Sequence, residues 1–219
     1  MTVSPPPAPP QRPVAELLPN DAELSTALGS PMRSRYGGRS GGIEILPNGK
    51  ADAAPVECLP VQSPAMRYTY EGAPVRAATR LTWATNTDTN RFPTPDFRTT
   101  TGIIELDTQA SARTWYARFS AQWHQCLGRT VTVHAGTKRL IAHEITSVSD
   151  TGNRITSILL LSGYNARRPA IVQRVLAQED RYLIDTETID FTDDRQTPPT
   201  TGNAETIADV IAHKINTPK

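Results

Sequence analysis

Between Arg129 and Phe191 five strand-like segments follow one another with very short connections. They are RTVTVH (129–134), RLIAHEITSV (139–148), RITSILLLSG (154–163), AIVQRVLAQ (170–178) and RYLIDTETIDF (181–191), joined by AGTK, SDTGN, YNARRP and ED. Such links cannot carry the chain back along a strand before it resumes, so each neighbouring pair must run antiparallel. A meander follows. Within it Ile171, Val175 and Ala177 face opposite to Val172, Arg174 and Leu176, and RITSILLLSG is apolar on both faces at its middle, which predicts it as the central strand.

Before the meander, Asp107 to Gly128 reads as a helix. Ala112, Trp115, Phe119, Trp123 and Cys126 recur at spacings of three and four and form one buried stripe, while Arg113, Arg118, Gln122 and Gln125 form a polar back. Asp107 or Thr108 is placed to cap it, and Gly128 to end it. Further upstream, Val75 to Thr85 alternates as a half-buried strand, with Ala77, Thr79, Leu81 and Trp83 opposite Arg76, Arg80 and Thr82. Gly102 to Leu106 is a second strand, after a polar loop over 86–99. Asn20 or Asp21 caps a short helix stopped by Gly29 and Pro31, and 204–216 is a last amphipathic helix with Ile207, Val210, Ile211 and Ile215 on one stripe. Ile43 to Leu46 reads as a short strand, and MRSRYGGRSGG (32–42) as loop. The order predicts an α+β domain over 15–219: a bent antiparallel meander with helices packed on one face.

Residues 1–14 differ in kind. Prolines at 5, 6, 7, 9, 10 and 13 hold an extended, coreless spacer, expected to act as a tether. No run of apolar residues is long enough to span a bilayer, so membrane attachment is expected only through a lipid anchor or helix absent from this chain. A net formal charge of +1 supplies no field to draw the protein to nucleic acid.

The search for chemistry is short. His124, His134, His143 and His213 do not fall at metal-ligand spacing, and no nucleophile elbow, C-x-x-C, phosphate loop or dinucleotide fingerprint occurs. No metal, cofactor or catalytic residue is therefore assigned. Asp185 and Glu187 share one strand face and are the only plausible acid and base pair, though such carboxylates usually do no more than wet a sheet. With Arg76, Arg80 and Arg174 they are the candidate ligand-binding residues of a charged cleft. Two cysteines are present, Cys58 and Cys126, as compatible with a bridge as with buried thiols.

Taken in order, LLPNDAELSTALGSPM, ECLPVQ, FSAQWHQCLGRTVTV, RRPAIVQRVLAQEDRYLIDTETI and IADVIAHKI resemble the PknH-like extracellular sensor domain of mycobacteria. That family occurs at the outer end of membrane-spanning serine/threonine kinases and alone in cell-envelope lipoproteins of the LppH type. The resemblance implies a curved antiparallel sheet, a solvent-accessible cleft, a disulfide between Cys58 and Cys126, and no catalytic residues. It departs from the kinase's domain in lacking a second disulfide after residue 129. It implies an extracytoplasmic, envelope-tethered sensor whose ligand is an unknown small molecule or envelope component, with the oligomeric state left open. An envelope hydrolase and a protein-docking domain are the alternatives.

Overall fold

The computed structural model describes residues 12–48, 53–85, 97–135, 139–163, 169–191 and 203–217. The tether expected before Val14 and most of the 86–99 loop lie outside them. Two short helices, α1 (Val14–Leu17) and α2 (Asp21–Leu28), lead into β1 (Arg33–Gly41). A 3₁₀ turn at Ile43–Ile45, β2 (Ala53–Ala54), a second turn at Val56–Cys58, α3 (Leu59–Gln62) and a third turn at Arg67–Tyr70 follow. Then come β3 (Val75–Ala84), β4 (Phe97–Leu106), α4 (Gln109–Gln125), the five strands β5 (Thr130–Ala135), β6 (Arg139–Asp150), β7 (Arg154–Ser162), β8 (Ala170–Glu179) and β9 (Tyr182–Asp190), and finally α5 (Asn203–Asn216).

All nine strands form one sheet in the order β1-β3-β4-β9-β8-β7-β6-β5-β2, every neighbouring pair antiparallel. The late meander is as expected. It does not end at β9, however, because β9 pairs onward with β4 and β4 with β3. The centre therefore moves from β7 to β8: β7 buries only alternate residues, whereas β8 and β9 are buried almost throughout.

Burial on both sides of the central strands decides where the helices go. Ile103 and Ile184 pack with Trp83 and Val175 against Leu17, Leu24, Ile207 and Ile211 of α1, α2 and α5. Their chain neighbours Ile104 and Leu183 point the other way, toward Tyr116, Phe119 and Trp123 of α4 and toward Val61 and Tyr70. The α+β class stands, but the helices divide between both faces rather than gathering on one. A strand apolar on both sides needs two covers.

Local chemistry explains the ends. Asn20 Oδ1 accepts from the N–H groups of Ala22 and Glu23 (3.0 and 2.9 Å) while Glu23 accepts from Asn20 N–H, a reciprocal cap on α2. Lys214 of α5 donates to that same Glu23 at 2.7 Å and to Leu18 O at 2.9 Å, tying the last helix to the first two. Thr108 Oγ1 caps α4 by accepting from Ser111 N–H. The buried stripe of α4 is Ala112, Tyr116, Phe119 and Trp123, with Trp115 only partly covered.

Two local readings are overturned. Residues 33–41 form an edge strand and not a loop: pairing to β3 runs through the backbone ladder, with Thr79 Oγ1 adding bonds to Arg39 O and Ser40 Oγ, and Gly37, at φ +61°, sits where the register shifts between Arg35 and Arg39. Ile43–Ile45 is a 3₁₀ turn and not a strand, closed when Glu44 accepts from Gly42 N–H at 2.8 Å. Cys58 and Cys126 are bonded, S–S 2.08 Å, and join the turn before α3 to the end of α4 across 68 positions.

Candidate functional site

On the α4 face the character of β3 and β4 changes along their length. Ala78, Ile104 and Leu106 belong to the core, but from Arg80 and Gly102 onward the same face presents Arg80, Thr82, Thr100 and Arg98. Pairing carries this polar belt across the sheet. Arg80 stands opposite Gly102 and Gly102 opposite Asp185; one row further, Thr82, Thr100, Glu187, Arg174 and Ser157 are successive partners on five strands. Four of the five residues singled out from sequence, Arg80, Arg174, Asp185 and Glu187, thus meet on one face. Arg76 stays apart, exposed where the pairing of β3 slips between Val75 and Ala77.

The floor of the belt is a buried, extensively hydrogen-bonded ion pair. Arg174 has no exposed surface; its Nε donates to Val61 O (2.8 Å), Nη1 to Thr186 O (2.5 Å), and Nη2 to Pro60 O (3.1 Å) and Asp185 Oδ1 (2.8 Å). Asp185 Oδ2 accepts from Ala65 N–H at 2.7 Å and Tyr70 O–H at 2.8 Å. Burial, with Asp185 beside it, pushes the Tyr70 phenol well above its ordinary range, so it stays a donor. Every nitrogen of Arg174 and both oxygens of Asp185 are engaged, which is what a charged pair at this depth requires. Their partners all lie between Pro60 and Tyr70 or on β9, so the pair fastens the arc that begins with α3 onto the sheet.

Gly102 makes that closeness possible. A Cβ there would lie 2.2 Å from the Ala65 Cβ, and Ala65 itself holds φ at +50° to turn its N–H toward Asp185. Gly102→Ala is expected to destabilise the fold by about 1–3 kcal/mol through this overlap. Urea unfolding checks it, and a loss below about 0.5 kcal/mol would show that the arc yields freely.

Above the floor the belt opens. Glu187 is nearly buried and faces Arg98 at 3.9 Å, an ion pair longer than a hydrogen bond. The Arg98 guanidinium lies over the Phe191 ring at 5.7 Å. Arg80 donates through Nε to Pro64 O at 3.4 Å. Burial lowers the pKa of Arg80, opposed by Glu187 and Asp185.

His143, on β6, closes the far side. Ser63 Oγ donates to Gln62 Oε1 at 2.7 Å, which turns the Gln62 amide nitrogen toward His143 Nε2 at 3.3 Å. Nε2 is therefore the acceptor and Nδ1 carries the proton. Burial, then the charges of Arg98 and Arg174, depresses His143 to about 4. The charge of Arg98 acts on His143 although three strands lie between β4 and β6.

A pH effect follows. Between the unfolded value near 6.5 and about 4 the unfolded chain binds the proton and the folded one does not, so stability is complete above pH 6.5 and falls as pH drops toward 4. The expected loss is on the order of 3 kcal/mol. Denaturation at pH 7 and pH 4 measures it, and His143→Gln should flatten that part of the profile. An unchanged slope in the variant would remove His143 as its cause.

Arg98 and His143 escaped the sequence reading for different reasons. A strand starting at Gly102 is five residues short of the observed Phe97 start, although Arg98, Thr100 and Gly102 repeat the period of Arg80 and Thr82. His143 reads as any hydrogen-bonded histidine until Gln62 and the curl of the sheet are known. Elsewhere a groove of about 720 Å³ lies between α4 and the tips of the β6–β7 and β8–β9 hairpins, lined by Arg113, Tyr116, Asp150, Asn153 and Glu179. Its Asp150 is engaged by Tyr116, Ser120 and Gly152 N–H. Among the described residues no three His, Cys, Asp or Glu side chains are grouped to hold a metal ion.

With this geometry in hand, the sequence profile of the PknH-like extracellular domain matches residues 9–216. The chain belongs to the PknH-like extracellular domain family. The crystal structure of the extracellular domain of PknH from Mycobacterium tuberculosis superposes with a TM-score of 0.76 at 19% identity, covering 93% of this chain and 94% of that one. The two share a fold. An uncharacterised protein from Mycobacterium smegmatis matches at a TM-score of 0.40 and 12% identity, covering 91% of this chain and 95% of that one. No functionally curated protein matches the sequence significantly. This PknH-like chain is an extracytoplasmic sensor-type domain, and its single disulfide fits an oxidising compartment.

Proposed function

We propose that this PknH-like domain is a non-enzymatic ligand-binding module of the cell envelope, held at the membrane through its proline-rich residues 1–14 by an anchor of the full-length protein, as in a lipoprotein. The supporting observation is the commitment of Asp185: Arg174 engages one oxygen, Ala65 and Tyr70 the other, and the carboxylate is buried at 1% exposure, out of reach of a substrate proton. General acid–base work needs a carboxyl that can reach the reacting group. The belt around Arg80, Arg98, Glu187 and His143 suits recognition instead, with charged and polar groups placed on a rigid sheet.

Native mass spectrometry of the protein purified from its own host tests the binding role. The expected result is a non-covalent adduct that raises the melting temperature when added back. Absence of an adduct and of any ligand-induced stabilisation would overturn it. Fractionation of host cells tests the tether: the full-length product is expected with the envelope, and recovery in the cytosol would refute the anchor.

A further inference from the structure

The buried polar atoms around the belt that lack a partner among the described residues are all hydrogen-bond donors or hydroxyls. They include Arg98 Nε, His143 Nδ1, Trp123 Nε1 and Ser157 Oγ. Ser157 stands opposite Arg174, whose guanidinium lies 5.4 Å from the Trp123 ring, and Arg98 faces Glu187, the other neighbour of Arg174. An unmet buried donor costs about 1–3 kcal/mol, so several around one ion pair call for an acceptor that the described residues do not supply. Charge points the same way. Arg174 and Asp185 cancel, leaving, among the described residues of the belt, Arg80 and Arg98 against Glu187.

We propose that Arg80, Arg98 and His143, grouped around Glu187, form an anion subsite that receives the carboxylate or phosphate group of the ligand. This assignment rests on the ligand-binding reading and names the chemistry that would be recognised. Arg98 is the principal ligand: its Nε–H has no partner, its side chain is one-third exposed, and the Phe191 ring holds the guanidinium plane. A guanidinium offers parallel N–H groups that match two oxygens of either anion. Arg80 adds charge from the neighbouring strand, and His143 offers its neutral Nδ1–H. Glu187 stands at ion-pair distance from Arg98 and is displaced, or screened, when the anion enters.

The test is titration of the intact, disulfide-bonded chain with sodium phosphate and, separately, sodium acetate at constant ionic strength, observed through arginine Nε–Hε resonances. Saturable movement of the Arg98 resonance is expected. Arg98→Gln or Arg80→Gln should weaken binding at least about tenfold, whereas Glu187→Gln should tighten it several-fold by removing the internal competitor. Saturation by phosphate alone assigns a phosphate ester, and saturation by acetate, with or without phosphate, assigns a carboxylate. A linear response to both anions, or weaker binding in Glu187→Gln, would overturn the proposal. Should the arginine variants fail to fold, as judged by near-ultraviolet circular dichroism, the wild-type titration and Glu187→Gln decide it. A host ligand found by native mass spectrometry without any saturable anion effect would sink the anion subsite and leave the binding role standing.

Discussion

Arg174→Met is expected to lower the unfolding free energy by about 3–5 kcal/mol, the range seen when one member of a buried ion pair is removed. The variant would strand Asp185 at 1% exposure and leave the carbonyls of Pro60, Val61 and Thr186 without their donor. Arg174→Lys should recover little. One ammonium cannot reach acceptors that Nε, Nη1 and Nη2 now serve from a rigid fork. Adding Asp185→Asn to Arg174→Met should cost less than the sum of the two single changes by about 1–3 kcal/mol, since both remove the same interaction. Urea unfolding at pH 7 measures all of these. A loss below about 1 kcal/mol for Arg174→Met would mean that water reaches the pair and that the arc over it is not fastened as described.

Removing the bridge with Cys58→Ala and Cys126→Ala is expected to destabilise the protein by about 4 kcal/mol, because the unfolded chain regains the freedom of a loop closed across 68 positions. Both sulfurs are buried, so small cavities add to the loss. Reduction of the wild type should produce the same shift of the denaturation midpoint, and the two measurements should agree within about 1 kcal/mol. The consequence extends to the site. Cys58 opens the arc whose Pro60 and Val61 carbonyls receive Arg174, so amide exchange should quicken over 58–70 before it does in β8 or β9. Equal stability of the reduced and oxidised forms would refute the argument.

These effects bear on binding as well as folding. Gln62 and Pro64, which contact His143 and Arg80, lie in the same arc. Loosening the bridge or the ion pair should therefore weaken any ligand at Arg98 without altering Arg98 itself. That is a positioning effect, visible as reduced affinity in folded but reduced protein.

What the chain declares by itself is local. Short links at SDTGN and ED leave no route for a parallel crossover, and the spacing of Ala112, Phe119 and Trp123 admits only a helix with one buried side. Capping at Asn20 and Thr108 depends on atoms two or three residues away, so it too was legible. The strand at Arg33–Gly41 was not, since an edge strand is held by backbone pairing that leaves no trace in side-chain alternation. The second layer of helices was equally hidden. Alternation along β4 marks both sides as apolar but cannot say which segment will cover each.

The site followed the same division. Arg80, Arg174, Asp185 and Glu187 could be named because period two puts charges on strand faces, yet their roles depend on what lies above them. Only the folded chain brings Pro60, Ala65 and Tyr70 down onto Arg174 and Asp185, turning two of those charges into a buried fastening. Only the folded chain brings the charge of Arg98 to bear on His143 across the three strands between β4 and β6. Short-range geometry is written in neighbouring residues; the difference between a charge that holds the fold and one that faces a ligand is set by contacts more than a hundred positions apart in the chain.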